Sequence, residues 1–191
     1  MIFRPAIALA LMCGATPAMA AGDYPFAGVF GVLEAAAEEN YGMDKFACLA
    51  SFNIQRADGT YTAYHLDTDA IGKSQALFHP YETGSCEYSP EKKTEHCNVE
   101  KSNWGKYDYY IEHRGEKNGV MVQATVDMRN PTAVSVSNTR KCPFDAVSIK
   151  PFLSEDWLNL SDEDLSWVLY RHFPFNPDQA KLVAKALGLP E

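Results

Sequence analysis

The sequence predicts a mainly β protein: an antiparallel up-and-down barrel or sandwich of about seven or eight strands, with a short N-terminal helix and two C-terminal helices. Three observations carry that expectation. Apolar and polar residues alternate in short runs between Phe46 and Ile149. Turn-forming pairs such as Asp58-Gly59 and Asn118-Gly119 separate these runs at hairpin spacing. After Ser161 the period changes to a helical one.

The chain begins "MIFRPAIALALMCGATPAMA", with one positive charge at Arg4, an apolar run from Ala6 to Met12 and a small-x-small ending at Ala18-Met19-Ala20. That is the layout of a signal peptide, so residues 1–20 are expected to be removed on export. Residues 21–150 then form the β domain, and 151–191 a helical segment packed on it. Cys13 raises a rival lipoprotein reading, but Met12 stands where a small residue is needed. No later apolar run approaches the ~20 residues of a spanning helix, so no transmembrane segment is expected.

In "GVLEAAAEENYGM", Val32, Leu33 and the alanines favour helix and Gly42 stops it. From Phe46, "FACLASFNI" alternates as a half-buried strand, Asp58-Gly59 turns, and "TYTAYHL" returns. "SQALFHPY" reads as a short strand ended by Pro80. The next hairpin turns around "SPEKK", which places Cys86 opposite Cys97 and Tyr88 opposite Glu95. "KYDYYIEH" and "GVMVQATVDM" pair through Asn118-Gly119, with Val120, Val122, Ala124, Val126 and Met128 on one face and Gln123, Thr125 and Asp127 on the other. "TAVSVSN" is a further strand, and "CPFDAVSI" is expected to add a last short one. Ser161 caps a helix over "SDEDLSWVLYRHF". A second helix, "PDQAKLVAKALG", has Pro177 at its first position, an apolar stripe of Leu182, Val183, Ala186 and Leu187, and Gly188 at its end.

Export decides what the cysteines do, because thiols oxidise outside the cytosol. Cys48, Cys86, Cys97 and Cys142 follow the leader, and four cysteines permit three connectivities. The most economical joins Cys86 to Cys97 across a hairpin and Cys48 to Cys142 across the domain. His79, Cys86, His96 and Cys97 have zinc-ligand chemistry, but their spacing matches no compact finger and disulfide formation competes with it. No metal and no cofactor is expected.

The net charge is −8 and no basic stripe interrupts it, which argues against nucleic acid as a partner. No G-x-S-x-G elbow, H-E-x-x-H pair or phosphate loop is present. His65 with Asp67, or His113 with Glu112, has acid–base chemistry, but without a nucleophile or a motif around it. The sequence therefore points away from an enzyme. Its most suggestive binding feature is aromatic: Trp104, Tyr107 and Tyr109, with Tyr64, are the candidate ligand-binding residues.

A signal peptide, hairpin-spaced strands, two inferred disulfides and late helices together resemble the lipocalin-type (calycin-like) exported barrels. Phe26-Ala27-Gly28-Val29-Phe30 resembles that family's early Gly-x-Trp box, with Gly28 in place and Phe30 where tryptophan stands in the family. No functional residue carries over. The resemblance implies a periplasmic or secreted binding module for a small hydrophobic molecule. It also implies an alternative, a protein-binding module such as an inhibitor of an envelope protease or lysozyme.

Overall fold

Eight antiparallel strands close into a barrel, each paired with its sequence neighbours and the last with the first. A computed structural model describes residues 24–33, 47–158 and 177–189. The strands are β1 (Gly28–Leu33), β2 (Ser51–Gln55), β3 (Thr60–Leu66), β4 (Phe78–Ser89), β5 (Thr94–Ser102), β6 (Tyr107–Lys117), β7 (Val120–Asp127) and β8 (Val134–Lys141). Three short helices accompany them: α1 (Ala47–Ala50), α2 (Ala146–Ile149) and α3 (Pro177–Ala186). Among the described residues no helix is long and apolar enough to cross a membrane. The expected leader (1–20) and first C-terminal helix lie outside the described residues.

The hairpins form where turn chemistry and alternation agree. Gly59 (φ 82°) closes the β2–β3 turn, and Asn118 (φ 56°) and Gly119 (φ 77°) make the tight β6–β7 turn. Cys86 pairs with Cys97 and Tyr88 with Glu95, the register read from the sequence. Both disulfides, Cys86–Cys97 and Cys48–Cys142, are present.

Five expectations are corrected. Val32 and Leu33 end strand β1 and do not begin a helix; the rest of that predicted helix lies outside the described residues. The strand predicted from Phe46 begins at Ser51, because Ala47–Ala50 form one helical turn. Cys48 and Leu49 are both buried there, which adjacent residues on an alternating strand do not achieve together. Pro80 does not end β4. Ala63 faces Glu82 while Tyr64 faces Pro80, so Tyr81 is the extra residue of a bulge, a place where proline's missing N–H is tolerated. "CPFDAVSI" holds α2 instead of a strand, because the Asp145 carboxylate accepts from the backbone N–H of Val147 and Ser148 in a capping box. On α3, Leu182 is 55% exposed, whereas Ala180 and Val183 are fully buried.

Register decides which side chains share a face, and contacts across the barrel decide which face is the inside. Tyr107 on β6 bonds Glu82 on β4, and strands that are not neighbours meet in this way through the lumen; Tyr61 on the adjacent β3 bonds the same carboxyl group. Tracing the pairs from these residues puts Asn53, Gln55, Tyr61, Ala63, Glu82, Gly84 and Cys86 inside. It also puts Glu95, Cys97, Val99, Tyr107, Tyr109, Ile111, Gln123, Thr125, Asp127, Ser137 and Thr139 inside. Phe52, Ile54, Tyr64, Leu66 and Phe78 therefore face outward. They form the main hydrophobic cluster with Val29, Cys48, Leu49, Cys142, Ile149, Ala180 and Val183, between the β1–β4 wall and the helices. The larger core lies outside the barrel.

Candidate functional site

The lumen is built on two buried carboxyl groups and a set of phenols. Glu82 (7% exposed) accepts from Tyr61 at 2.8 Å through Oε1 and from Tyr107 through Oε2. Glu95 (1% exposed) accepts from Tyr24, while His113 Nε2 meets its other oxygen. Tyr109 shares a hydrogen bond with Tyr61 and lies within electrostatic range of both carboxyl groups. The result is a continuous polar array from the segment before β1, through β3, β4 and β5, to β6.

One residue without a side chain makes room for it. A Cβ on Gly84 would lie 2.2 Å from the Asn98 carbonyl oxygen and 2.9 Å from the Tyr61 ring. Neither the neighbouring backbone nor the packed ring can yield, so glycine is what lets the Tyr61 ring lie over its own cross-strand partner and reach Glu82 two residues along β4.

Burial sets the protonation states. The phenols of Tyr24, Tyr61, Tyr107 and Tyr109 are all pushed far above their usual value, first by desolvation and then by neighbouring phenol or carboxyl groups. They remain O–H donors at any ordinary pH. Burial also raises the Glu82 carboxyl, against the opposing effect of the Tyr107 and Tyr61 hydrogen bonds. Asp127 behaves oppositely, because the Arg129 guanidinium hydrogen-bonds it and holds it below the usual carboxylate range.

The two ends of the lumen differ. At the β4–β5 hairpin end, Tyr24, Tyr61, Ile111 and the Cys86–Cys97 bridge pack together with Phe26, Tyr88 and Tyr109. Phe26 stacks on His113 at 4.3 Å. At the other end, where β6 begins and β7 stops, the Arg129 guanidinium sits 3.6 Å over the Tyr107 ring. Between them, Tyr107, Tyr109, Gln123, Thr125 and Ser137 point inward yet are only half-buried. Solvent therefore reaches this part of the inner wall.

Of the four aromatic residues proposed from sequence, the structure brings Tyr107 and Tyr109 together in the lumen. Trp104 is half-buried and packs edge-on against Tyr81, 5.8 Å between centroids. Tyr81 in turn acts electrostatically on Tyr107 and Tyr109. The Trp104 Nε1–H is buried and has no hydrogen-bond partner among the described residues. Tyr64 is on the opposite side of the wall, stacked on Phe52 in the outer cluster. Neither histidine pair considered from sequence forms an acid–base couple: His113 meets Glu95, Glu112 is bonded by Arg114, and His65 donates to the Ala50 carbonyl. Cys86, Glu95 and Cys97 lie close enough to hold an ion, but both sulfurs are in the disulfide and are not thiolates.

Sequence reasoning missed Glu82, Glu95, Tyr24 and Tyr61. A signal for the two acids was present: Glu95 is two residues from Cys97 and Glu82 four from Cys86, so once the opposed cysteines face inward both acids share their side of the wall. No protein-family model matches the chain, and no curated protein matches it. The site has to be read from its own chemistry.

Proposed function

We propose that the protein is an exported, non-catalytic binding protein that holds one small molecule with an aromatic or apolar body in the barrel lumen. The observation that carries this reading is the half-buried inner wall: Tyr107, Tyr109, Gln123, Thr125 and Ser137 point into the barrel and keep solvent contact. A closed eight-strand antiparallel barrel is compatible with the lipocalin-type plan, whose interior is just wide enough for one small ligand. Two disulfides in a chain of this size suit an oxidising compartment, the periplasm or the exterior. Phenol rings supply apolar contact, and their hydroxyls with Gln123 and Thr125 supply orientation.

Native mass spectrometry of protein purified from its own cells tests this. A small molecule bound one to one, released by denaturation, is the expected result. A mass equal to that of the bare mature chain, together with failure to take up any aromatic probe, contradicts it.

A second reading, a module that binds an envelope protein, is favoured by the outer face of β6–β8. There Val134 (55%), Val136 (61%), Tyr110 (42%) and Met128 (45%) are exposed side by side. Its test is a stoichiometric complex with one envelope enzyme that is lost on Val136→Asp.

A further inference from the structure

We propose that the lumen selects an organic cation, an ammonium or guanidinium group on an aromatic or apolar body, with Glu82 as its counter-charge and the faces of Tyr107 and Tyr109 as its walls. The inference deepens the lumen-binding reading and rests on it.

Four observations lead to it. Glu82 is a buried acid with no basic side chain among its hydrogen-bond partners: both oxygens accept from phenols. The nearest cation, Arg129, is committed to Asp127 by hydrogen bonds to both carboxylate oxygens. Each carboxyl oxygen keeps a second lone pair for a ligand N–H. The protein already places one cation on this wall, since the Arg129 guanidinium lies over Tyr107 at 3.6 Å, the contact an ammonium makes with a ring face. His65 and His113 share the lumen face, His65 kept neutral by burial and His113 held on Glu95, but no lysine or arginine is among the lumen-facing residues traced from β2 to β7, and the whole chain carries a net charge of −8, so anions are repelled and cations attracted.

Burial raises the Glu82 carboxyl, and the groups acting on it are Tyr61 from β3, Tyr107 from β6, and Asp127 and Arg129 at the end of β7. An arriving cation favours the carboxylate, so cation binding releases a proton to solvent at any pH where Glu82 still holds one.

Calorimetry and ligand-observed NMR with three probes test this: benzylammonium, its uncharged isostere ethylbenzene, and benzoate. The cation is expected to bind at least about tenfold more tightly than the isostere, benzoate not at all, and buffers of different ionisation enthalpy should show proton release for the cation alone. Glu82→Gln, which keeps both phenol partners, is expected to abolish the charge preference and the proton release while leaving the isostere bound. Equal binding of cation and isostere, or a preference that survives Glu82→Gln, overturns the cation inference and leaves the lumen-binding reading standing. Failure of all three probes, with no molecule retained by the purified protein, overturns both. Proton release is read on the unmodified protein, so the test holds if the variant does not fold.

Discussion

The outer face of β1–β4 and the lumen behind it are separated by one layer of backbone and carry opposite chemistry. Outside, Phe52 stacks on Tyr64 and meets Phe78 and Phe144 edge-on, beneath α1, α2 and α3. Inside, carboxyl groups, phenols and an amide are joined by hydrogen bonds. A small barrel that packs its main apolar core in its lumen has no room for a ligand. This chain places much of that core on the outside of the wall, where helices cover it, and puts polar groups in the lumen.

If stability resides outside and recognition inside, substitutions on the two sides will separate. The largest effect is expected at the disulfides. Cys48–Cys142 ties α1 to the segment after β8 within the outer cluster across 94 residues, whereas Cys86–Cys97 closes 11 residues in the lumen. Replacing the first pair by alanine is expected to cost about 4.5 kcal/mol and the second about 3 kcal/mol on loop entropy, read as urea midpoints of the oxidised proteins. Next, Phe52→Ala is expected to cost about 4 kcal/mol through its cavity. Gln123→Ala in the lumen, where Thr139 donates to the amide oxygen, should cost about 1 kcal/mol. Equal losses for these two would erase the distinction.

A pH series gives a third, smaller effect. Burial pushes the His65 imidazole down to about 4 from 6.5. Below pH 6.5 the unfolded chain binds a proton that the native chain refuses, so this contribution is complete above 6.5 and is lost as pH falls towards 4. The loss amounts to about 3 kcal/mol, and His65→Gln should remove most of it. Smallest of all, Val136→Thr on the uncovered outer face of β8 is expected to change stability by less than about 0.5 kcal/mol, because Val136 is 61% exposed. A large loss there would mean that something covers this face in solution.

Much of the barrel was legible because its turns are local chemistry. Asn118-Gly119 and Asp58-Gly59 set hairpin register on their own, and the symmetry of Cys86 and Cys97 about Glu91-Lys92 set another. What failed to show was anything decided by tertiary contact. Pro80 reads locally as a stop, yet one extra residue at Tyr81 carries the strand past it. Alternation also separates two faces without saying which one is inside. On β7 the valines belong to the outer face and Gln123, Thr125 and Asp127 to the lumen, the reverse of the usual expectation. The same ambiguity explains the site residues. Tyr64 and Tyr107 look alike as strand tyrosines, but Tyr64 lies three residues from the lumen-facing Tyr61 and so falls on the other face, in the outer cluster, while Tyr107 reaches Glu82.

The claim that the lumen is a polar chamber, and not a core, is tested most directly by a crystal structure at a resolution that orders solvent. The account predicts water molecules or a bound ligand among Glu82, Tyr109, Gln123 and Thr125, with the Phe52 cluster outside the wall dry. A lumen closed by its own side chains with no occupant, or water among Phe52, Phe78 and Ile149, would contradict it.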